Sequence, residues 1–485
     1  MSIHAFGNPN FLQLPHGKCS KLAGLKWIPG AAPSLVVSNA QQSERLASLL
    51  APQNQRVAAI VFGDGSSPSR LYPLTKWRSQ GAIPIAGNYR LIDAVVSNCI
   101  NSHISKIYAI TQFNSTSLNS HLSRAYSGAL SLGKDGFLEV IAACQTPEEK
   151  GWFQGTADAI RRFLWILEEY SCLEFLILPG HHFYKMDYRE IIEAHRSNAA
   201  DITLAVLSSM RDENPGFGFV KLNSEDQVSE FLENPPPDIE IFSAQTSVAS
   251  DMSIHPGMGI YVISRDVMIN LLKEHFPKAN DLRCEIIPRA MALGMKVQGY
   301  KFHGQWEDMR SIEAFYNANM EILRQRHITS AAHDFHDLNS PLYTLPRRSP
   351  PTLIADAVII DSMVGDGCVL SKCHIRNTVV GMRTRVGEGA IIEDSIIMGS
   401  DAYLDRNDFE GASFNGFSKS IPIGIGEGSV IRKAIIDKDV RIGKNVMILN
   451  KDNVQEGNRE ANGYVIRGGI VVIIKGAVIT DESIL

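Results

Sequence analysis

Residues 380–392 read VGMRTRVGEGAII, and in this stretch Val380, Val386 and Ile392 follow one another at intervals of six residues. A glycine comes directly after each of the first two. A hexapeptide period of aliphatic residues is typical of a parallel β-helix, in which each such residue turns inward and stacks on the next coil. The alternative, an antiparallel sandwich, would alternate with a period of two.

The same period continues on both sides of this stretch. It recurs from Leu353 onward, at Val364, Leu370, Ile425, Ile431, Ile436, Ile442 and Ile448. The sequence therefore predicts a β-helix domain over residues 353–485.

The N-terminal half has a different pattern, because strand-like and helix-like segments alternate between Val57 and Ala205. That alternation predicts an α/β domain over residues 51–333, with a mostly parallel sheet and helices on both faces. Ligands of such sheets bind beyond the carboxyl ends of the strands. Residues 63–70, GDGSSPSR, follow the first strand and are the expected phosphate-binding loop.

Two segments lie outside these domains. Residues 1–50 contain no acidic residue before Glu44, and their basic residues up to that point are lysines among scattered Ser, Ala and Pro. This composition is typical of a plastid transit peptide, with a disordered tail as the alternative. Residues 334–352 are rich in Pro, Ser, Arg and Asp and are interpreted as a linker.

Composition excludes two classes of partner. The 485 residues are 44% hydrophobic with a formal net charge of −5. No apolar run approaches the roughly 20 residues that span a bilayer, and no basic stripe could neutralise nucleic-acid phosphates. We expect neither a membrane nor a nucleic-acid partner.

Short motifs along the chain carry a family resemblance. They are RLYPLT at 70–75, NYRLID at 88–93, TQFN at 111–114, WFQGTADA at 152–159, GIY at 259–261, WED at 306–308 and IDKD at 436–439. Together they resemble the plant small subunit of glucose-1-phosphate adenylyltransferase, also called ADP-glucose pyrophosphorylase. The resemblance implies a Rossmann-like nucleotidyltransferase domain followed by a left-handed parallel β-helix domain.

The resemblance also implies a reaction and its sites. Active relatives join ATP to glucose 1-phosphate, giving ADP-glucose and pyrophosphate for starch synthesis, as heterotetramers of small and large subunits. Mg²⁺, backbone amides and cations must neutralise charge on the leaving pyrophosphate. The matching nucleotide-binding residues are Gly63, Gly65, Arg70, Gln112, Gly155 and Asp158, and the matching sugar-phosphate residues are Gly218 and Glu233.

The phosphate-binding loop departs from the family pattern, Gly-Gly-Gly-x-Gly-Thr-Arg. Gly63, Gly65 and Arg70 remain, and the loop is one residue longer than the pattern. Asp64 places a negative charge where phosphates should lie, and Pro68 removes an amide donor. Each change is expected to weaken ATP binding.

Two catalytic positions carry unsuitable side chains. Gln80 stands where the family has the Lys that faces the nucleotide phosphates, and a neutral amide cannot replace that cation. His181 stands where the family has the Asp that holds Mg²⁺. Mg²⁺ prefers oxygen ligands, and a protonated imidazole would repel it. We therefore expect Asp308, the second metal carboxylate, to lack its partner and the Mg²⁺ site to be lost.

His181 and His182 also raise the hypothesis of a new transition-metal pair. Adjacent residues on an extended segment point in opposite directions, and no Cys or third His lies nearby in the sequence. The sequence therefore argues against such a pair.

The sugar-phosphate and effector positions are altered as well. Asn234 stands at the family's sugar-phosphate Lys, and Gly257 stands at its Ser. Relatives sense sugar-phosphate activators and orthophosphate through two C-terminal lysines, which match Lys438 and Arg467 here. Arg467 keeps the charge and can bind phosphate with two donors, although a solvated basic face is the alternative interpretation.

The changes concentrate in one pocket, whereas the core patterns are intact. The sequence therefore predicts an inactive or strongly impaired homologue that assembles with large or small subunits, with weak binding of ATP and glucose 1-phosphate left open. One alternative is an active nucleotidyltransferase with a reorganised site. Another is a regulatory module like those of translation-initiation exchange factors, which combine a similar sheet domain with a β-helix.

Overall fold

The computed structural model describes residues 56–64, 68–126, 136–143, 151–169, 172–208, 217–232, 253–324, 340–346, 349–403 and 421–485. Residues 52–485 form one compact unit. The predicted leader, part of the predicted linker, and Gly65, Glu233 and Asn234 lie outside the described residues. The domain boundaries given above stay predictions.

The N-terminal domain is built on a large mixed sheet. In chain order, the strands of the domain are β1 (Val57–Phe62), β2 (Pro84–Ile85), β3 (Tyr89–Arg90), β4 (Lys106–Thr111), β5 (Phe137–Ala142), β6 (Glu174–Pro179), β7 (His182–Tyr184), β8 (Ile202–Leu207), β9 (Phe219–Leu222), β10 (Val228–Leu232), β11 (Ser253–Ser264), β12 (Val297–Phe302) and β13 (Trp306–Asp308). Of these, β2 with β3 and β7 with β13 form separate two-stranded sheets.

The centre of this sheet is parallel. β1 pairs in parallel with β4 and β6, and β4 pairs in parallel with β5. This confirms the parallel sheet predicted from the alternation. β11 runs antiparallel to β6, β8 and β9, a feature that the sequence pattern did not indicate, whereas β8 and β12 beyond it pair in parallel.

Helices cover both faces of the sheet. They are α1 (Leu91–Asn101), α2 (Thr116–Ala125), α3 (Thr156–Arg162), α4 (Leu164–Glu169), α5 (Tyr188–Ser197), α6 (Arg265–Asn270), α7 (Ile287–Ala292) and α8 (Ile312–Arg324). Side chains of a strand alternate between the two faces. Accordingly, Ala58 and Ile60 of β1 belong to the core that contains α3 and α4, whereas Ala59 and Val61 belong to the core that contains α1.

The C-terminal domain is a parallel β-helix. Its strands are β14 (Leu353–Ala355), β15 (Val358–Ile360), β16 (Met363–Val364), β17 (Val369–Ser371), β18 (His374–Arg376), β19 (Val379–Val380), β20 (Arg385–Val386), β21 (Ile391–Glu393), β22 (Ile396–Ile397), β23 (Gly424–Ile425), β24 (Val430–Arg432), β25 (Ala434–Ile436), β26 (Arg441–Ile442), β27 (Met447–Ile448), β28 (Glu456–Arg459), β29 (Tyr464–Arg467), β30 (Ile470–Ile473) and β31 (Val478–Ile479).

The aliphatic residues of the hexapeptide period stack as predicted. Ile375, Ile392, Ile431 and Ile448 are successive partners across β18, β21, β24 and β27. All four are buried in one apolar core. The coils approach so closely that a Cβ at Gly426 would lie 2.2 Å from the carbonyl oxygen of Gly443. The glycine therefore permits the contact between neighbouring coils.

The two domains share a core. Apolar residues of α8, among them Phe315 and Leu323, belong to the same cluster as Ile396, Ile435 and Val472 of the β-helix. A buried ion pair between Arg78 and Asp437 crosses the same junction. This packing fixes the β-helix against the segment that follows the phosphate-binding loop.

No described helix is both long and apolar enough to cross a membrane.

Candidate active site

The site lies where β1, β4 and β6 end. Because these strands are parallel, their carboxyl ends meet at one edge of the sheet. The amide of Gly180, which follows β6, donates to the carbonyl of Phe62 at 2.7 Å. The amide of Gly81 donates to the carbonyl of Gly63 at 3.0 Å. The predicted phosphate-binding loop is thus held beside both Gln80 and His181.

Asp64 belongs to this loop, and its carboxylate faces backbone amides of two neighbouring segments. The backbone amide of Gln80 donates to Asp64 Oδ1 at 3.0 Å, and the backbone amide of Gln112 also donates to this carboxylate. Asp64 Oδ2 is buried without a hydrogen-bond partner among the described residues. Burial raises the pKa of Asp64 to about 6. Amides that could face an anionic ligand are therefore already occupied by the protein's own anion.

The pH dependence of stability should report this burial. The pKa of Asp64 is higher in the folded chain than its ordinary value of 3.8, so ionising this carboxyl costs more free energy in the folded chain than in the unfolded chain. The fold is therefore destabilised above pH 6, where Asp64 is charged, and not below pH 4, where Asp64 is protonated. We expect Asp64→Asn to raise the free energy of unfolding by about 1–2 kcal/mol at pH 8, since a shift of one pKa unit corresponds to about 1.4 kcal/mol. Urea unfolding at a series of pH values measures this difference. The gain should disappear between pH 6 and pH 4, and a constant gain would contradict the assignment.

His181 and His182 lie together with Asp308. The two imidazole centroids are 4.5 Å apart, and His182 Nε2 lies 3.6 Å from Asp308 Oδ1. The sequence argument that adjacent side chains diverge is wrong here, because Gly180 and His181 form a turn before β7 begins. β7 then pairs antiparallel with β13, which places His182 opposite Asp308.

The charges of this cluster differ from the sequence expectation. Burial, and then the charge of Arg70, lowers the pKa of His181 to about 3, so its imidazole is neutral rather than protonated at pH 7. Burial also lowers the pKa of His182 well below its usual value. Arg70 Nη1 lies 3.8 Å from Asp308 Oδ2. Asp308 therefore lies beside a guanidinium and an imidazole. In active relatives, the family pattern implies a second carboxylate at the position of His181.

These residues do not fit Mg²⁺. That ion demands oxygen ligands in near-octahedral geometry, and Asp308 is the one carboxylate of the described metal-ligating cluster. The neighbouring groups are two imidazoles and the guanidinium of Arg70. These described residues therefore do not supply the ligands of a catalytic Mg²⁺ ion.

Two of the nucleotide-side residues that match the family, Asp158 and Gly155, stabilise the local fold. Asp158 accepts hydrogen bonds from the amide of Gln154 at 3.1 Å and from Arg161 at 2.8 Å, at the start of α3. A Cβ at Gly155 would lie 2.4 Å from the carbonyl oxygen of Asn280. Both residues are therefore required for local packing whether or not a nucleotide binds.

The sugar side contains a cavity of about 250 Å³ that includes His181 and Phe217 in its lining. Gly218 lines a neighbouring cavity of about 390 Å³ together with Arg283. A Cβ at Gly257 would lie 3.2 Å from the carbonyl oxygen of Phe217, so a side chain there would be crowded. Phe217 and Arg283 had no predicted role, because no motif marks them.

A larger cavity, of about 670 Å³, lies at the junction of the two domains. Its cationic lining residues are Arg78, Arg90, Arg124, Arg383, Lys438 and Lys475. Among the described residues that line it, Asp401 is the one carboxylate, and it contacts Lys438 Nζ at 2.6 Å. Burial lowers the pKa of Lys438 to about 8. We call this space the junction cavity.

Arg467 is not among the residues that line the junction cavity. Its guanidinium pairs with Glu456 at 2.6 Å on the surface of the β28–β29 hairpin. The structure therefore does not bring together the two residues predicted to bind an effector. The arginines that do accompany Lys438 come from segments far apart in the chain, so no sequence motif could have grouped them.

Comparisons with known proteins agree with both domains. Residues 58–325 match the family described as "Nucleotidyl transferase", and residues 347–484 match the "GLGC left-handed parallel beta-helix domain". A chloroplastic protein of Arabidopsis thaliana, named inactive glucose-1-phosphate adenylyltransferase small subunit 2, is 57% identical over 458 residues, which cover 93% of this chain and 92% of that protein. The chain belongs to the glucose-1-phosphate adenylyltransferase small-subunit family.

A second member of this family extends the match. The small subunit of Triticum aestivum, named chloroplastic/amyloplastic, is 46% identical over 473 residues, which cover 95% of this chain and 98% of that protein. Both small subunits are named as plastid proteins, which confirms the predicted plastid location. The predicted Rossmann-like nucleotidyltransferase domain and left-handed β-helix domain are confirmed as well.

Proposed function

We propose that this chain is a non-catalytic small-subunit homologue of ADP-glucose pyrophosphorylase. The observation that supports this proposal most strongly is the buried cluster of His181, His182 and Asp308, where a neutral imidazole stands at the family's metal carboxylate. Without a hard-ion site, charge on the leaving pyrophosphate is not stabilised. Loss of one such contact costs roughly 3–4 kcal/mol, or two to three decades in rate.

Substrate binding should be weakened as well. The Asp64 carboxylate holds the amides of Gln80 and Gln112, and the buried Gln80 side chain carries no charge. An incoming triphosphate would have to displace this carboxylate and would meet its negative charge. We propose weak residual binding of ATP and glucose 1-phosphate rather than turnover.

The intact scaffold supports a role in assembly. Both domains retain continuous apolar cores, and they pack together through α8 and the ion pair of Arg78 with Asp437. The two relatives are named as small subunits. We propose that the chain enters heterotetramers with ADP-glucose pyrophosphorylase large or small subunits.

The junction cavity supports a regulatory contribution within such an assembly. Six cationic side chains border it, which fits a sugar phosphate or orthophosphate. Lys438 lies in this cavity and Arg467 lies outside it. We propose that Lys438, and not Arg467, contributes to effector binding.

Co-expression of the full chain with a tagged large subunit of the family tests the proposal. We expect the chain to co-purify, and we expect it to make ADP-glucose on its own at less than about one thousandth of the rate of an active small subunit. Failure to co-purify would remove the assembly role. Activity of the chain alone that Asp308→Ala abolishes would instead support an active, reorganised site.

The co-purified enzyme also tests where the effector binds. In the co-purified enzyme, Lys438→Gln in this chain should weaken the response to orthophosphate, because it removes a cation from the junction cavity. Arg467→Gln is the matched control and should leave the response unchanged. Equal effects of both substitutions would contradict the placement of the effector site.

A further inference from the structure

The cluster of His181, His182 and Asp308 has the composition of a different kind of metal site. One ligand atom from each of the three side chains lies within 4.8 Å of the other two. The exposed fractions of the three residues are 5%, 0% and 8%. In the described part of the chain, His181 Nδ1 and His182 Nε2 have no hydrogen-bond partner. Buried imidazole nitrogens are normally satisfied, so two adjacent unsatisfied nitrogens require an explanation.

We propose that His181, His182 and Asp308 bind a borderline divalent transition ion, with Zn²⁺ as the best fit. Two imidazoles and one carboxylate suit Zn²⁺, Co²⁺ and Ni²⁺, whereas Mg²⁺ and Ca²⁺ require more oxygen atoms. His181 also lines the cavity of about 250 Å³, from which water can supply a remaining ligand. The inference does not depend on whether the chain catalyses any reaction.

Binding requires small rearrangements. Ligand atoms around a tetrahedral zinc lie roughly 3.4 Å apart for bonds of about 2.0–2.1 Å. The side chains must therefore approach one another by little more than about 1 Å.

Two neighbours of the cluster, Trp306 and Arg70, disfavour metal binding. Trp306 Nε1 donates to His182 Nδ1 at 3.3 Å, which places the proton of the neutral ring on Nε2. Coordination through Nε2 moves this proton to Nδ1 and breaks the long bond to Trp306. Arg70, 3.8 Å from Asp308, is a competing cation, and 32% of its side chain is exposed.

Cobalt titration of the purified full chain tests the site, because tetrahedral Co²⁺ has visible absorption bands that Mg²⁺ and free Co²⁺ do not imitate. We expect one equivalent to bind, Zn²⁺ to displace it, and millimolar Mg²⁺ to leave it in place. His181→Gln and His182→Gln should each lower the affinity at least tenfold. His255→Gln is the matched control, since this half-buried imidazole bonds to Leu207 and Ser253 and lies outside the cluster.

A further variant keeps the test decisive if the histidine variants unfold. Arg70→Gln removes the competing cation from a partly exposed position and should tighten Co²⁺ binding several-fold. Tighter binding in this variant supports the site. Affinity that stays within twofold in Arg70→Gln, or in a folded double histidine variant, overturns it, as does displacement of Co²⁺ by millimolar Mg²⁺.

Discussion

The double replacement Gln80→Lys with His181→Asp should convert a silent chain into a Mg²⁺-dependent adenylyltransferase, with a rate at least about 100-fold above the parent. Asp at position 181 would face Asp308 and supply the second oxygen donor that Mg²⁺ requires. Lys at position 80 would return a cation beside Asp64 of the phosphate-binding loop. Regaining one charge-stabilising contact corresponds to roughly 3–4 kcal/mol, and the two replacements act on the same developing charge.

The measurement is ADP-glucose synthesis by the full chain, alone and with a large subunit. Gln80→Lys with His181→Asn is the matched control, because it has the new cation and an oxygen ligand but lacks the carboxylate charge. This control should stay silent. Two adjacent carboxylates repel each other without a metal, so Mg²⁺ should raise the melting temperature of the His181→Asp variant more than that of the parent. A parent as active as the variant would show that His181 is not the disabling change.

Asp437→Ala should destabilise the chain strongly, by about 3–5 kcal/mol, which is the usual cost of leaving a buried charge unpaired. The side chains of Arg78 and Asp437 are 5% and 2% exposed, so the substitution leaves a largely buried guanidinium without its ionic partner. The pair lies at the junction of the two domains, beside the core that contains α8. Urea unfolding, followed by far-UV circular dichroism, measures the change.

Lys444→Ala is the control for Asp437→Ala. Lys444 pairs with Glu427 at 2.7 Å on the surface of the same β-helix, where both side chains are more than half exposed. Surface ion pairs contribute little, so the urea midpoint should hardly move. A small effect of Asp437→Ala, similar to that of the control, would mean that water reaches Arg78.

The β-helix could be predicted closely because its signal is local. Each inward residue recurs at a fixed spacing, and the observed partners Ile392 and Ile431 stack as the period requires. The parallel centre of the N-terminal sheet was also predictable from alternating segments. The antiparallel pairing of β11 was not, because strand direction depends on contacts between segments far apart in the chain.

Two properties of the candidate site, the proximity of its histidines and their charge, could not be predicted from sequence patterns. Motif matching identified His181, Gln80 and Asp308, but it could not show that a turn at Gly180 brings His181 and His182 together. It also assigned His181 a possible charge, whereas burial keeps the ring neutral. Burial and approach between distant segments decide these properties, and neither can be read from spacing alone.

For the same reason, the sequence could not show which of the two predicted effector residues lies in a cavity. Lys438 and Arg467 looked equivalent in sequence, since each is a cation at a family position. The structure places Lys438 in the junction cavity and pairs Arg467 with Glu456 on the surface. A charge in a motif thus says little about which ligand it faces until its neighbours are known.

Asp64 has a further consequence for any ligand of the phosphate-binding loop. Its carboxylate is part of this loop and accepts hydrogen bonds from the amides of Gln80 and Gln112, so it competes with an incoming anion and cannot be diluted away. A tethered group acts at an effective concentration of millimolar or more. The apparent affinity for an anion is reduced by the fraction of time during which this carboxylate stays in place. The chain thus carries its own competitive inhibitor, and ATP has to reach a correspondingly higher concentration to displace it.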